Sequence, residues 1–309
     1  MGYDFHLDPA KYIYSHCRAL HRHSKFQLVG GVDPDPQQRQ LFERTYQAPA
    51  FADIEQALDG SSPDLVVIAI PTELHAETLR QVLNRTRPKV VLCEKPLAGD
   101  VRQAREILKA CAAQNVSLYV NYIRRSDPGV IEIKRRLDAG EINGPFKGVA
   151  FYTKGFLHNG SHLLNLLEYW FGSATAWIPV ECKTIQNSSD AKVDVRISFE
   201  KGHVMFLAAS PEDAFTLNGL ELLMGNGRLR YEHGGERIEW SPTMPHAHIE
   251  GYTVLSKRSE IIASGMDRYQ WHVMEQLAAA MTGQSHNLCS GEVAMKTLDT
   301  MQAILESQR

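Results

Sequence analysis

The sequence predicts an α/β chain in two parts: a doubly wound parallel-sheet domain over residues 1–121, then an α+β domain with a large, mainly antiparallel sheet over 122–309. Three observations predict it. The runs Asp64-Leu-Val-Val-Ile-Ala-Ile70 and Lys89-Val-Val-Leu-Cys93 are apolar without alternation, as strands buried on both faces are. Segments of helical period separate such runs, which implies βαβ units, a parallel sheet and right-handed crossovers. After about Asn121 short runs alternate with the turn signals Asn187-Ser-Ser, Glu200-Lys-Gly, Gly225-Asn-Gly and His233-Gly-Gly, the pattern of an antiparallel meander.

In chain order, Asp8-Pro9 reads as the N-cap and first position of an opening helix. Phe26–Val32 follows as a strand, with Asp33 just past its end. Helix Pro36–Glu43, strand Asp64–Ile70, helix Glu73–Leu83 with Thr72 as its N-cap, strand Lys89–Cys93, helix Val101–Gln114 and strand Val116–Val120 complete the first part. The second part opens with a helix near Gly129–Leu137 that ends about Gly140. Strand Phe146–Thr153, helix Asn159–Trp170 closed by Gly172, short strands from Ala176 to about Trp240, and helices Tyr269–Met281 and Glu292–Glu306 follow. No internal repeat or low-complexity segment interrupts them.

At 43% hydrophobic and 22% charged, 309 residues can bury a sizeable core. A formal net charge of −3 lacks the basic excess of a general nucleic-acid binder. No stretch approaches the roughly 18 apolar residues of a membrane span. The opening residues lack the basic-then-apolar pattern of a signal peptide. The expectation is a cytoplasmic protein with no membrane or nucleic-acid partner. Five scattered cysteines without a C-x-x-C pair read as reduced, mostly buried thiols.

A doubly wound dinucleotide domain ordinarily begins with a buried strand and G-x-G-x-x-G, and neither is in this sequence. The strand Phe26–Val32 takes the second position, which puts Asp33 where a ribose-binding carboxylate sits. Two readings stand. Either some 10–15 residues of a βα start lie upstream, or the cofactor site is degenerate. The cofactor-type features that follow favour the first.

Ile70-Pro71-Thr72-Glu73-Leu74-His75 follows a buried strand, at the end where open α/β sheets bind ligands. By itself it reads more simply as a Pro-Thr helix start. The next strand ends in Cys93-Glu94-Lys95-Pro96-Leu97. Here Pro96 fixes its own φ and restricts Lys95 to extended conformations, which aims the lysine away from the sheet. In the second part, Gly155-Phe-Leu-His158-Asn-Gly160-Ser-His162-Leu-Leu-Asn165 carries two histidines four residues apart, one helical turn. That spacing can chelate zinc, but no Glu lies between the histidines and no third ligand is evident, so no metal is expected. At the junction, Asn121-Tyr122-Ile-Arg124-Arg125-Ser-Asp127-Pro128 offers guanidiniums that could grip a carboxylate or phosphate, or form an ion pair within the protein. His246 and His248 read as surface residues.

These motifs resemble those of the Gfo/Idh/MocA oxidoreductases, the family of glucose–fructose oxidoreductase and inositol dehydrogenase. E-K-P after its strand is that family's signature. I-P-T-x-x-H is similar to its A-T-P-x-x-H, the 155–165 segment to its D-x-G-x-H-x-x-D, and 121–128 to its N-x-R-R-x-x-P. Two positions depart: His158 and Asn165 stand where the family often has Asp. The resemblance implies a Rossmann-type first domain and a substrate-binding, oligomerising second domain. It implies NAD(P)-dependent hydride transfer to or from a hydroxyl carbon of a sugar, nucleotide-sugar or polyol, in a homodimer or homotetramer. His162 would be the base, Lys95 would hold the hydroxyl, and His158 would orient the substrate. Cofactor contacts would fall to Asp33, Ile70, Pro71, Thr72, His75, Glu94, Lys95, Pro96 and Asn121. Substrate contacts would fall to Lys95, Tyr122, Arg124, Arg125, Tyr152, Lys154, His158 and His162. Asp33 favours NAD over NADP, since a carboxylate accepts the ribose 2′-hydroxyl and repels a 2′-phosphate. The swap to His158 suggests an acidic substrate such as a uronate. Two rivals remain: a cofactor-less, non-catalytic sugar-binding relative, and a zinc hydrolase built on His158 and His162.

Overall fold

The computed structural model describes residues 4–184, 190–209 and 215–307. The turn signal at Asn187 lies outside the described residues. In chain order the first stretch runs α1 (His16–Arg22), β1 (Gly31–Val32), α2 (Pro36–Tyr46), β2 (Ala50–Phe51), α3 (Ile54–Leu58), β3 (Leu65–Ile68), α4 (His75–Arg85), β4 (Val90–Cys93), α5 (Val101–Ala113) and β5 (Ser117–Val120). Then come α6 (Pro128–Asp138), β6 (Phe146–Tyr152), α7 (Ser161–Phe171), β7 (Ala176–Thr184), β8 (Ala191–Phe199), β9 (Gly202–Ala208), β10 (Asn218–Met224) and β11 (Gly227–Glu232). The remainder is β12 (Arg237–Pro245), β13 (Thr253–Leu255), β14 (Glu260–Ile262), α8 (Tyr269–Met281), β15 (Cys289–Ser290) and α9 (Gly291–Glu306). These elements form two compact units. One holds Met1–Ser126 with Asp267–Met295, the other Asp127–Met266 with Lys296–Arg309.

The first unit is Rossmann-like. Its four-stranded sheet has the order β15-β5-β4-β3, with β3, β4 and β5 parallel and β15 antiparallel on β5. β1 and β2 form a separate parallel pair. β4 is buried at all four positions, as its unbroken apolar run requires. The equally apolar β3 is an edge strand, and only Ile68 is fully buried, so the expectation of burial on both faces is corrected there. The strand expected over Phe26–Val32 shrinks to Gly31–Val32, because only β2 pairs with it. The expected helix at Asp8-Pro9 is instead a turn: the Asp8 carboxylate accepts from Ala10 N and its carbonyl from Lys11 N and Tyr12 N. The first helix starts at His16, capped by Ser15. Ile13, Ala19, Val90, Leu92, Val273, Met274 and Leu277 make one core, so α8 belongs to this unit.

The second unit is a nine-stranded sheet in the order β13-β12-β11-β10-β6-β9-β8-β7, with β14 also on β12. It is mainly antiparallel. It is not a pure meander, because β6 pairs with β9 in parallel. β8 alternates buried and half-buried residues along its whole length, the signature of one face on a core. That core joins α6 and α7 to the sheet through Ile133, Leu163, Leu167, Trp170, Val195 and Phe206. α6 is capped by Asp127, which accepts from Val130 N and also ties down Gly265 N. α7 closes at Gly172, whose φ of 83° suits a residue without a side chain.

Candidate active site

In the first unit the chemistry gathers at the carboxyl ends of β4 and β5. Glu94 follows β4 and Asn121 follows β5. Glu94 Oε1 accepts from Asn121 Nδ2 at 2.7 Å and lies 2.8 Å from His16 Nε2, at the start of α1. Gln270 of α8 sets its amide nitrogen 3.4 Å from the same imidazole nitrogen. Glu94 Oε2 accepts from the Lys95 backbone N–H at 3.3 Å. Burial pushes the Glu94 carboxyl up, but the hydrogen bond and charge of His16 and the hydrogen bond from Asn121 outweigh it. The net result is a carboxyl below its ordinary value. Asn121 and Gln270 are buried, and Glu94 and Lys95 are half-buried. His16 Nδ1, Asn121 Oδ1 and Gln270 Oε1 are buried without a hydrogen-bond partner among the described residues.

His75 joins the two loops beside this cluster. It is buried, with Nδ1 3.1 Å from Pro96 O and 3.3 Å from Leu97 O, and Nε2 2.9 Å from Ile70 O. The Lys95–Pro96 peptide is cis. His75 therefore ties together the turns after β3 and β4 through their main chains. Thr72 does not cap a helix as expected. It opens a short 3-10 turn whose preceding residue is Pro71, and no side-chain cap bond forms there or at α4. Ile70 and Thr72 are half-buried and Pro71 is exposed. Asp33 stands past β1, where its Oδ1 accepts from Asp35 N at 2.9 Å. Tyr122, Arg124 and Arg125 are buried at the start of the 3-10 segment Ile123–Ser126, and Arg124 Nε has no hydrogen-bond partner among the described residues.

In the second unit the expected helix Asn159–Trp170 begins differently. Phe156–Gly160 is a π-helical turn and the α-helix starts at Ser161. π-turns inside helices gather at functional positions. Lys154 precedes the turn at a φ of 60°, unusual for a side chain that long. Asp190, just before β8, caps the turn from afar: its carboxylate accepts from Leu157 N and His158 N, each at 2.8 Å. Gly155 must be glycine, since a Cβ there would run into that carboxylate. His158 is exposed and His162 half-buried. Among the described residues no group of three or more His, Cys, Asp or Glu is placed to hold a metal ion. Asn165 is buried and donates to Thr297 Oγ1 at 3.0 Å.

Tyr152 is corrected. It is fully buried, and its hydroxyl donates to Val193 O at 2.7 Å and accepts from Val193 N at 2.8 Å, so it is a core residue and not a substrate contact. Of the two surface histidines, His248 is exposed. His246 is half-buried and its Nδ1 accepts from His248 N and Ile249 N. Sequence reasoning missed His16, Gln270 and Asp190. Ser15-His16 at the true helix start was the available signal for the first. The other two reach their partners across 254 and 32 residues, beyond any local pattern.

Comparison with known proteins agrees with the Rossmann-like fold of the first unit. Residues 10–122 match the family GFO_IDH_MocA, described as an oxidoreductase family with an NAD-binding Rossmann fold. Inositol 2-dehydrogenase 4 of Saccharopolyspora erythraea is 34% identical over 139 residues, 42% of this chain. The matched stretch spans 39% of that relative's length. The WlbA dehydrogenase of Bordetella pertussis, solved with NADH and UDP-GlcNAcA, has the same fold, with a TM-score of 0.75 at 18% identity over 94% of this chain and 91% of its own. So does the super-repressor mutant of Gal80p from Saccharomyces cerevisiae, at 0.77 and 14% over 99% and 92%. Among the described residues no helix is long and apolar enough to cross a membrane.

Proposed function

Because this chain belongs, through residues 10–122, to the Gfo/Idh/MocA oxidoreductase family, we propose that it transfers hydride between NAD and a hydroxyl carbon of a sugar, nucleotide-sugar or polyol. The observation that carries the proposal is the strand-end cluster around Glu94, with Lys95 beside it. Buried polar atoms without partners, concentrated at the carboxyl ends of parallel strands, suit a polar ligand there. The residues to hold the cofactor are Asp33 on the ribose hydroxyls and Ile70, Pro71, Thr72, Glu94, Lys95, Pro96 and Asn121 around the nicotinamide end, with His75 bracing the loops. When bound, NAD supplies the hydride acceptor at its nicotinamide ring.

The chain's own residues then do three things. The Lys95 ammonium holds the substrate hydroxyl and stabilises alkoxide charge as it develops. His162 takes the hydroxyl proton on a ring nitrogen, a role worth roughly 10²–10⁴ in rate. Arg124, Arg125, Lys154 and His158 present donors to an acidic substituent, so the reading favours a uronate over a neutral sugar. By this reading the first unit carries the cofactor and the second the substrate and the contacts of a homodimer or homotetramer, in the cytoplasm. Asp33 makes NAD preferred over NADP.

Titration with NADH, followed by nicotinamide fluorescence, tests the reading, beside the same chain extended upstream by a strand and G-x-G-x-x-G. Binding by either form supports it. Binding by neither overturns it in favour of a non-catalytic sugar-binding protein. Turnover of uronic and neutral sugars side by side tests the substrate class, and faster turnover of neutral sugars would sink the uronate assignment.

A further inference from the structure

We propose that His16 is a positioning residue for the Glu94-Lys95-Pro96 turn, fixing the Glu94 carboxylate and through it the start of Lys95. The proposal rests on the oxidoreductase reading for its purpose but not for its geometry. Three chain segments far apart in sequence meet at one carboxylate, the start of α1 and the ends of β4 and β5, and Gln270 of α8 lies against the His16 ring. Such convergence is costly to arrange, since buried polar groups left unpaired give up their hydration with no bond in return. Three of those groups lie in this one cluster.

The protonation pattern follows from the contact itself. Glu94 is held in its ionised form, so Oε1 accepts and cannot donate. The 2.8 Å approach of His16 Nε2 therefore requires the proton on Nε2. With Asn121 Nδ2 on the same oxygen at 2.7 Å, Oε1 is fixed from two sides. The carboxylate plane is then set, and Oε2 is held toward the Lys95 N–H at 3.3 Å. His16 acts on Lys95 through Glu94. The position of His16 as the first residue of α1 gives the ring a rigid base, because Ser15 caps that helix and Asp4 binds the Tyr14 and Ser15 N–H groups beside it.

Two measurements test this without relying on turnover. In ¹⁵N-histidine-labelled wild-type protein, His16 is expected as the Nε2–H tautomer, with that proton shifted downfield by its carboxylate partner. An Nδ1–H tautomer overturns the proposal. After reductive ¹³C-methylation, the Lys95 resonance, assigned with Lys95→Arg, is expected to shift in His16→Ala and to return in His16→Gln, which restores a donor at the same reach. An unmoved Lys95 resonance in a folded His16→Ala protein also overturns it. Where turnover is present, His16→Ala is expected to lower kcat on the order of 10²-fold with little change in substrate KM, and His16→Gln to recover most of it. A wild-type protein that neither binds NADH nor turns over sugar refutes the oxidoreductase reading alone, and the two NMR results still decide the placement of Glu94 and Lys95.

Discussion

The Glu94-Lys95-Pro96 turn and the His158–His162 helix start carry the two motifs of this chain, and they are held in opposite ways. The first is gripped by side chains: His16 and Asn121 on one carboxylate oxygen, His75 on carbonyls from two loops. The second is gripped through its main chain, where Asp190 accepts from two consecutive amides and leaves the His158 ring exposed. A turn locked by side chains presents one geometry. A helix start locked by main chain can change its side chains without losing its shape. That contrast goes with where this sequence departs from the Gfo/Idh/MocA pattern it resembles: E-K-P is kept, while His158 and Asn165 stand where that pattern often has Asp.

The contrast can be broken from either side. The largest effect is expected on the chemistry: His162→Asn should lower kcat by roughly 10²–10⁴ while NADH affinity stays unchanged, as steady-state rates and fluorescence titration would show. A parallel loss of NADH binding would mean His162 serves the cofactor. Next comes the core that supports the helix. Tyr152→Phe strands the Val193 N–H and C=O and should cost about 1–3 kcal/mol, measured by denaturant unfolding. Asp190→Ala removes a cap and should cost about 1 kcal/mol, with faster hydrogen exchange at Leu157 and His158 and none at Lys95. Glu94→Gln should do the reverse, speeding exchange at Lys95 and leaving the helix start unchanged.

The smallest effect is the pH dependence. Glu94 is held below its ordinary value, first against burial and then by His16 and Asn121. A depressed carboxyl stabilises the fold above its unfolded value and loses that contribution as pH falls through its folded value. In the second unit Glu239 behaves likewise. The Ser259 hydroxyl and the guanidiniums of Arg230 and Arg237 bring it down to about 2. Thermal stability should therefore fall below about pH 4.5. Glu94→Gln and Glu239→Gln should each flatten that slope in the unit that holds them. An unchanged slope in Glu239→Gln would show that the carboxylate is equally stabilised in the unfolded chain.

Much of this was legible in the sequence, for identifiable reasons. α8 was expected at its observed bounds, Tyr269–Met281, because its apolar residues keep helical period and bury Val273, Met274 and Leu277. β4 was legible because an unbroken apolar run has one stable use in a parallel sheet. β3 carries the same signal yet lies at an edge, since composition reports what a strand tolerates and not which neighbours it meets. The two-residue strands β2 and β15 escaped because they are too short for any period. The candidate residues at strand ends were visible through E-K-P. Gln270 beside them, and Asp190 under the His158 turn, were not, because a hydrogen bond between distant segments leaves no local pattern.

β15 has a bearing on how the protein is made. Its two residues pair with Val120 and Tyr119, and α8 supplies core to the same unit. The first sheet therefore waits, on the ribosome, for residue 290 to emerge. All of β6 to β14 is synthesised in the interval. During it the edge of β5 is open, a hydrogen-bonding surface of the kind on which nascent chains aggregate. The strands of the second sheet are thus all made before the first sheet can close, although the second unit also takes core residues Met301 and Ile304 from the last helix.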